Sequence, residues 1–320
     1  ANTAQGAIKS EAKPEPKAET VLINLKNGTF EITPEKQFLR QPQRQDFITY
    51  QLPFEYNPQA TAPLFQQYLN TVQPDIERQN ILAEYLGYVF IKPSTLKLEK
   101  TLLLYGTGAN GKSVFFEVVN ALLGANNVSS YSLQSLTNEN GYYRAMIANK
   151  LVNYASEING KLETAIFKQL VSGEPVEARL PYGEPMTINN YAKLIFNCNE
   201  LPKDVEQSNA YFRRFLIIPF DTTIPEQQQD KELSKKIISS ELSGVFNWVL
   251  QGLNRLLSQK KFTNSEAVNN QLAQYKKRSD SVLMFLEDEN FEQSNTDTLQ
   301  LKQVYAFYNT YCLENGYHKV

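Results

Sequence analysis

Four short apolar runs, TLLLY from Thr101, LVNYA from Leu151, KLIFNC from Lys193 and FLIIPF from Phe215, punctuate the middle of the chain. Continuous apolar runs of this length, bounded by turn residues, are the pattern of strands buried on both faces. Between them lie stretches with apolar residues at helical spacing, so the pattern predicts an α/β fold with a layered sheet. Upstream, PLFQQYLNTVQPDIERQNILAEYLGYVF (63–90) sets Ile81, Leu82, Tyr85, Leu86 and Val89 at helical spacing, which predicts a small helical unit ahead of the sheet. VLINLKNGTFEI before it reads as two strands around a hairpin turn at Asn27-Gly28. Past Asp221 the periodicity is helical, in ELSGVFNWVLQGLNRLL and EAVNNQLAQYKKRSDSVLMFLED.

Composition sharpens the division. With 320 residues and 42% apolar content the chain has material for two or three packed units. Residues 1–20, small, charged and proline-bearing, read as a linker or remnant without structure. The expected organisation is then a hairpin plus helical domain over 21–96, a core over 97–225, a helical part over 226–290, and a further segment over 291–320. Cys198 and Cys312 are too few for a disulfide framework and have no metal-ligand spacing, which fits a reducing cytoplasm. The single histidine, His318, excludes a histidine-based metal site or a Ser-His-Asp triad in the core. No apolar stretch is long enough to span a bilayer and ANTAQGAIKS lacks the apolar region of a secretory signal, so a soluble protein without a membrane partner is expected. A formal net charge of -2 leaves any nucleic-acid binding to local basic groups.

The chemistry begins where TLLLY ends. GTGANGKS, comprising Gly106, Thr107, Gly108, Ala109, Asn110, Gly111, Lys112 and Ser113, satisfies G-x-x-x-x-G-K-[ST], with an apolar strand before it and an amphipathic helix after it. Glycines let the backbone curl so that its N–H groups face phosphate oxygens, and the helix beginning near Lys112 adds the positive end of its dipole. Lys112 would reach the β and γ phosphates of a bound triphosphate such as ATP, and the Ser113 hydroxyl would coordinate Mg²⁺. The alternative is a glycine-rich turn with a solvated lysine.

Other strand ends supply candidate partners. LVNYASEI ends in Ser156-Glu157, and Glu157 is placed to polarise an attacking water and to share in holding the metal. Many such ATPases carry aspartate where this chain has Ser156. In KLIFNCNELP, Asn199 is the candidate polar group for water and γ-phosphate, against a plain reading as a turn residue. YFRRFLIIPF puts Arg213 and Arg214 before the last strand, where an arginine far from its own phosphate loop serves a neighbouring subunit, unless the pair simply forms surface ion pairs. YKKRSD, from Tyr275, reads as a solvated helix face.

In their order, GTGANGKS, LVNYASEI, FKQLVSGEPVEARLPYGEPMTI, KLIFNCNELP and YFRRFLIIPF resemble the motifs of superfamily three helicases. The likeness is to the C-terminal half of phage and plasmid primase-helicases, related to the poxvirus primase-helicase. It implies an AAA+ type P-loop NTPase core and a homo-oligomer, a hexameric ring that hydrolyses ATP with Mg²⁺ and translocates on single-stranded DNA during replication. By resemblance Lys112 and Ser113 are nucleotide-binding, Glu157 catalytic, Asn199 the sensor and Arg214 the arginine finger, with Arg213 as second choice. SGEPVEARLPYGEPMTI matches a hairpin that projects into the channel, with Tyr182 at its turn. Tyr182 and Glu184 stand where a cation would contact phosphate, which leaves Lys168 and Arg179 as the nearest basic candidates. VYAFYNTYCLENGYHKV resembles the start of a winged helix, expected here to be truncated, and the family's primase domain is expected to be missing from this chain. The alternative function is an ATP-gated DNA-binding initiator or switch.

Overall fold

The computed structural model describes residues 20–156, 158, 162–202 and 205–317. Three antiparallel strands, β1 (Val21–Leu25), β2 (Gly28–Ile32) and β3 (Gln37–Arg40), open the fold. The hairpin turn falls on Lys26 and Asn27, one residue earlier than the dipeptide predicts, and Gly28 pairs with Leu25 as the first residue of β2. The Asn27 side chain is occupied instead with the backbone of Tyr56, donating to its carbonyl and accepting from its N–H at 2.9 Å each. Two helices follow, α1 (Pro63–Val72) and α2 (Ile76–Tyr88). Pro63 at the first position of α1 suits a helix start, and the Asp75 carboxylate caps α2 by accepting from the N–H groups of Glu77 and Arg78.

The central region runs β4 (Thr101–Tyr105), α3 (Lys112–Leu123), β5 (Val128–Ser129), α4 (Leu133–Thr137), α5 (Tyr142–Met146), β6 (Val152–Ser156) and α6 (Thr164–Ser172). It continues through the hairpin β7 (Val176–Arg179) and β8 (Pro185–Ile188) to β9 (Lys193–Cys198), α7 (Asn209–Phe212) and β10 (Phe215–Pro219). The four apolar runs read in the sequence become β4, β6, β9 and β10, joined by short β5 in one parallel five-stranded sheet of order β10-β4-β9-β6-β5. The order puts β9 between the strand that feeds the glycine loop and the strand that ends at Ser156. Crossover helices cover the sheet, which is why its strands read as unbroken apolar runs rather than alternating ones.

The C-terminal part is helical: α8 (Leu233–Ser240), α9 (Leu242–Gln259), α10 (Glu266–Arg278), α11 (Ser281–Asp288) and α12 (Leu301–Asn315). A single apolar core joins β1, β2, α1, α2, β4, α3, α8 and α9. In it Phe246 of α9 meets Phe30 of β2 edge-on at 6.3 Å between ring centres, and α2 lies so close along α9 that a methyl at Gly87 would sit 2.7 Å from the Leu253 Cβ. Glu241, buried at the α8–α9 junction, accepts from the N–H groups of Leu64 and Phe65 and so caps α1 across the chain. A second core lies on the other face of the sheet, around Phe167, Tyr211 and Phe215. Phe285, Tyr308 and Tyr311 pack α12 against α11. Among the described residues no strand follows β10, and no helix is long and apolar enough to cross a membrane.

Candidate nucleotide site

The glycine loop spans β4 to α3, at the carboxyl edge of the parallel sheet. Its outer side is bonded to the scaffold. Gly106 N–H donates to the Cys198 carbonyl at 3.0 Å, Ile224 N–H donates to the Ala109 carbonyl at 2.8 Å, and the Asn110 side-chain amide donates to the Phe220 carbonyl at 3.1 Å. Gly111 has φ 85 and its carbonyl accepts from the buried Tyr68 hydroxyl at 2.8 Å. A Cβ there would lie 2.6 Å from Val72 Cγ1, so α1 presses on the loop where only glycine fits. Thr107 and Ala109 are exposed and Gly108 is half-buried.

Lys112 opens α3 but is buried at 6% exposure. Its ammonium donates to the Gly106 carbonyl and, at 3.2 Å, to Asn110 Oδ1. Burial pulls its pKa below the ordinary lysine value, with the Cys198 thiol acting the other way. Among the described residues no carboxylate pairs with it. A cation held in a glycine cradle without a counter-ion is the environment an anionic ligand would complete. Ser113 stands exposed beside it in the first turn of α3. Cys198 beneath the loop is buried and its thiol is pushed up to about 12 by that burial, so it stays neutral.

A cleft of about 750 Å³ opens over the loop, and its polar floor includes Ser156, Asn197 and Asn199. The inserted position of β9 brings Asn197 opposite Ser156. The Tyr154 hydroxyl, buried and held neutral by burial, donates to Asn197 Oδ1 at 2.9 Å, which leaves the Asn197 amide nitrogen for another partner. Asn199 lies just past β9 and is exposed. Glu157, the sequence candidate for water activation and metal binding, falls outside the described residues. Sequence reasoning missed Tyr68, Thr71 and Val72 of α1 and Ile224, Leu233 and Ser234 near α8, which line the cleft. Leu64, Tyr68, Val72, Ile224 and Leu233 provide apolar surface there, and no local motif marks them.

The two arginines sit at the opposite edge of the sheet. Phe215 of β10 pairs with Thr101 at the start of β4, while the glycine loop begins beyond Tyr105, roughly 15 Å of strand away. Arg214 is the sequence's first choice for an arginine finger, yet it is only 7% exposed. Its guanidinium donates to the Ala210 carbonyl and to Ser172 Oγ at 3.1 Å, and burial, followed by the charge of Arg213, lowers its pKa. Arg213 carries the exposed guanidinium, with 57% of its side chain accessible and Glu99 Oε2 at 2.7 Å. In the single chain the Arg214 side chain is thus held by its own α6 and α7, whereas the Arg213 guanidinium lies at the surface.

The hairpin predicted around Tyr182-Gly183 is present as β7 and β8, paired from Val176–Ile188 to Arg179–Pro185. Tyr182 at its tip has φ 60 and is fully exposed. The two cations expected to contact DNA, Arg179 and Lys168, are engaged within the chain. Arg179 Nε donates across the turn to the Gly183 carbonyl at 2.8 Å, and Lys168 forms an ion pair with both carboxylate oxygens of Glu206 at 2.7 and 2.8 Å. Buried Arg144 braces the hairpin's base, donating to the carbonyls of Glu177, Leu136 and Asn138.

Comparison with known proteins adds a context to this geometry. The family of unknown function DUF5906 matches residues 104–214, a span that holds the glycine loop, Ser156, Asn199 and both arginines. The D5 N terminal like family matches residues 6–74. A protein of Acanthamoeba polyphaga mimivirus named "Putative helicase L207/L206" is 24% identical over 233 residues, 67% of this chain. The chain spans 23% of that relative's length. An apo structure of the NrS-1 C terminal region shares the fold, with a TM-score of 0.53 and 15% identity over 89% of this chain and 73% of that one. A second apo structure of that region aligns at a TM-score of 0.48 with 15% identity, over 93% and 88% of the two chains.

Proposed function

We propose that the chain is the ATP-dependent helicase module of a primase-helicase-like replication protein. One observation carries the reading: a buried lysine without a described counter-ion, cradled by a glycine loop that opens on a cleft of about 750 Å³. The similarity to the mimivirus protein and the D5 N terminal like match support the helicase context.

In this reading ATP lies with its phosphates on the loop N–H groups and on Lys112, and its base toward the apolar walls from α1 and α8. Desolvation of Lys112 suits it to a multiply charged phosphate, because the interaction strengthens where water is excluded. Ser113 would hold Mg²⁺, whose chemistry is to neutralise charge on the phosphate oxygens. Asn197, fixed by Tyr154, and Asn199 orient water and phosphate at the strand ends. Glu157 is the proposed base that polarises the water. Arg213 lies too far along the sheet to serve its own loop and serves the loop of a neighbouring copy in a ring, for which six subunits are proposed. The exposed Tyr182 hairpin contacts single-stranded DNA by stacking on bases, with Arg179 and Lys168 as secondary contacts once their present partners are exchanged.

The test is ATP turnover with and without single-stranded DNA, together with strand displacement on a forked duplex. Expected are turnover that rises with protein concentration, stimulation by DNA, and displacement of the strand. Turnover lost in Arg213→Ala and regained on mixing with Glu157→Gln supports a shared site. Turnover unaffected by DNA and by protein concentration refutes the motor.

A further inference from the structure

The exposed arginine is not free in the single chain. Arg213 Nη2 lies 2.7 Å from Glu99 Oε2, and Glu99 is the described carboxylate within ion-pair distance of it. Glu99 holds a left-handed backbone, φ 52, without being glycine or asparagine, a conformation that persists where the surroundings over-determine it. It stands between Lys97 and Lys100, just before β4, and its side chain is 17% exposed. Burial opposes its charge, but the Lys97 hydrogen bond and the Arg213 and Arg214 charges together hold the carboxyl below its ordinary value. Lys97 approaches Oε1 at 3.3 Å, and Arg214 Nη2 is 3.8 Å from Oε2. The same edge is tied by backbone, since Thr101 N–H donates to the Arg214 carbonyl and the Lys100 ammonium to that of Arg213.

Resting on the shared-site reading above, we propose that Glu99 is a positioning residue that parks the Arg213 guanidinium in cis and releases it when a neighbouring copy offers phosphate. A free arginine samples many rotamers and pays entropy when it docks. A parked one is aimed, at the cost of breaking an ion pair first. Glu99 divides its charge between Lys97 and Arg213, so removing either partner tightens its hold on the other. Because the Arg213 end of the pair is exposed to solvent, its loss changes an equilibrium by no more than about fivefold. The device therefore tunes assembly of the site and does not lock it.

In the full chain, ATP turnover is measured against protein concentration for wild type, Glu99→Gln, Lys97→Met, Arg213→Ala and Glu99→Gln/Arg213→Ala. Glu99→Gln should lower the concentration of half-maximal turnover, by up to about fivefold, and Lys97→Met should raise it. The two Arg213→Ala proteins should be indistinguishable from each other. A merely structural Glu99 would shift melting temperature and leave this opposite pair of shifts absent. Concentration profiles that coincide for wild type, Glu99→Gln and Lys97→Met, while Arg213→Ala still abolishes turnover, overturn the parking role alone. So does turnover that Glu99→Gln restores in the Arg213→Ala background. Wild-type turnover in Arg213→Ala overturns the shared site as well. If Glu99→Gln fails to fold, Lys97→Met, whose side chain is 42% exposed, keeps the test decisive through its own sign.

Discussion

Gly111→Ala tests whether α1 forms a wall of the proposed nucleotide site. Two costs add at this position. A non-glycine residue at φ 85 costs about 1–2 kcal/mol, and a methyl 2.6 Å from Val72 Cγ1 and 3.0 Å from Tyr68 Cε2 forces a rearrangement worth about 1–3 kcal/mol. Alanine recovers about 0.4–1 kcal/mol by restricting the unfolded chain, so the net loss should be about 1–4 kcal/mol. Val72→Ala removes the obstructing methyl and alone costs about 1–3 kcal/mol through the cavity it leaves. In the double variant the overlap with Val72 Cγ1 is gone, so the loss should fall short of the sum of the two single losses by at least about 1 kcal/mol. Urea unfolding of the four proteins measures this coupling, and titration with a fluorescent ATP analogue follows the site itself. Additive losses, or unaltered analogue affinity in Gly111→Ala, would refute the packing of α1 against the loop as the reason glycine is needed there.

Other expectations follow from the same geometry. Tyr154→Phe should cost about 1 kcal/mol and free the Asn197 amide to turn, lowering turnover several-fold while ATP analogue affinity holds; an unchanged turnover number would remove Asn197 from the mechanism. Arg144→Met leaves three carbonyls without their donor and should cost about 2–5 kcal/mol, with faster amide exchange in β7 and β8. Lys193, whose ammonium lies 4.3 Å above the Tyr88 ring, is pulled by burial to about 8 from an ordinary 10.5. Between those values the folded chain binds fewer protons than the unfolded one, so Lys193 makes stability rise with pH. Relative to Lys193→Met, wild type should gain about 2–3 kcal/mol between pH 7.5 and 10, read by urea unfolding, and parallel profiles would disprove it.

The sheet was readable in the chain because buried parallel strands leave unbroken apolar runs, and the glycine loop because its residues follow a spacing of their own between a strand and a helix. β3 was not read, since QFLR is short and only partly buried. The far walls of the cleft were invisible because Tyr68 and Leu233 meet through tertiary packing that no local pattern encodes. Nor can two adjacent arginines be ranked from sequence. Arg214 turns inward to Ser172 and Arg213 outward to Glu99, a choice made by the packing of α7 against α6 and not by residue type.

The seam between α2 and α9 has a consequence for the chain's birth. The apolar faces of β1, β2 and α2 have their cover in α9, from Val245 to Leu256, so a ribosome must pass most of the chain before that cover exists. At about 5–20 residues per second the wait is on the order of ten seconds. Throughout it, Ile81, Leu82, Tyr85 and Leu86 are exposed to whatever else is nearby. A chaperone that holds nascent chains should therefore bind this protein early, through α2, and let go when α9 emerges.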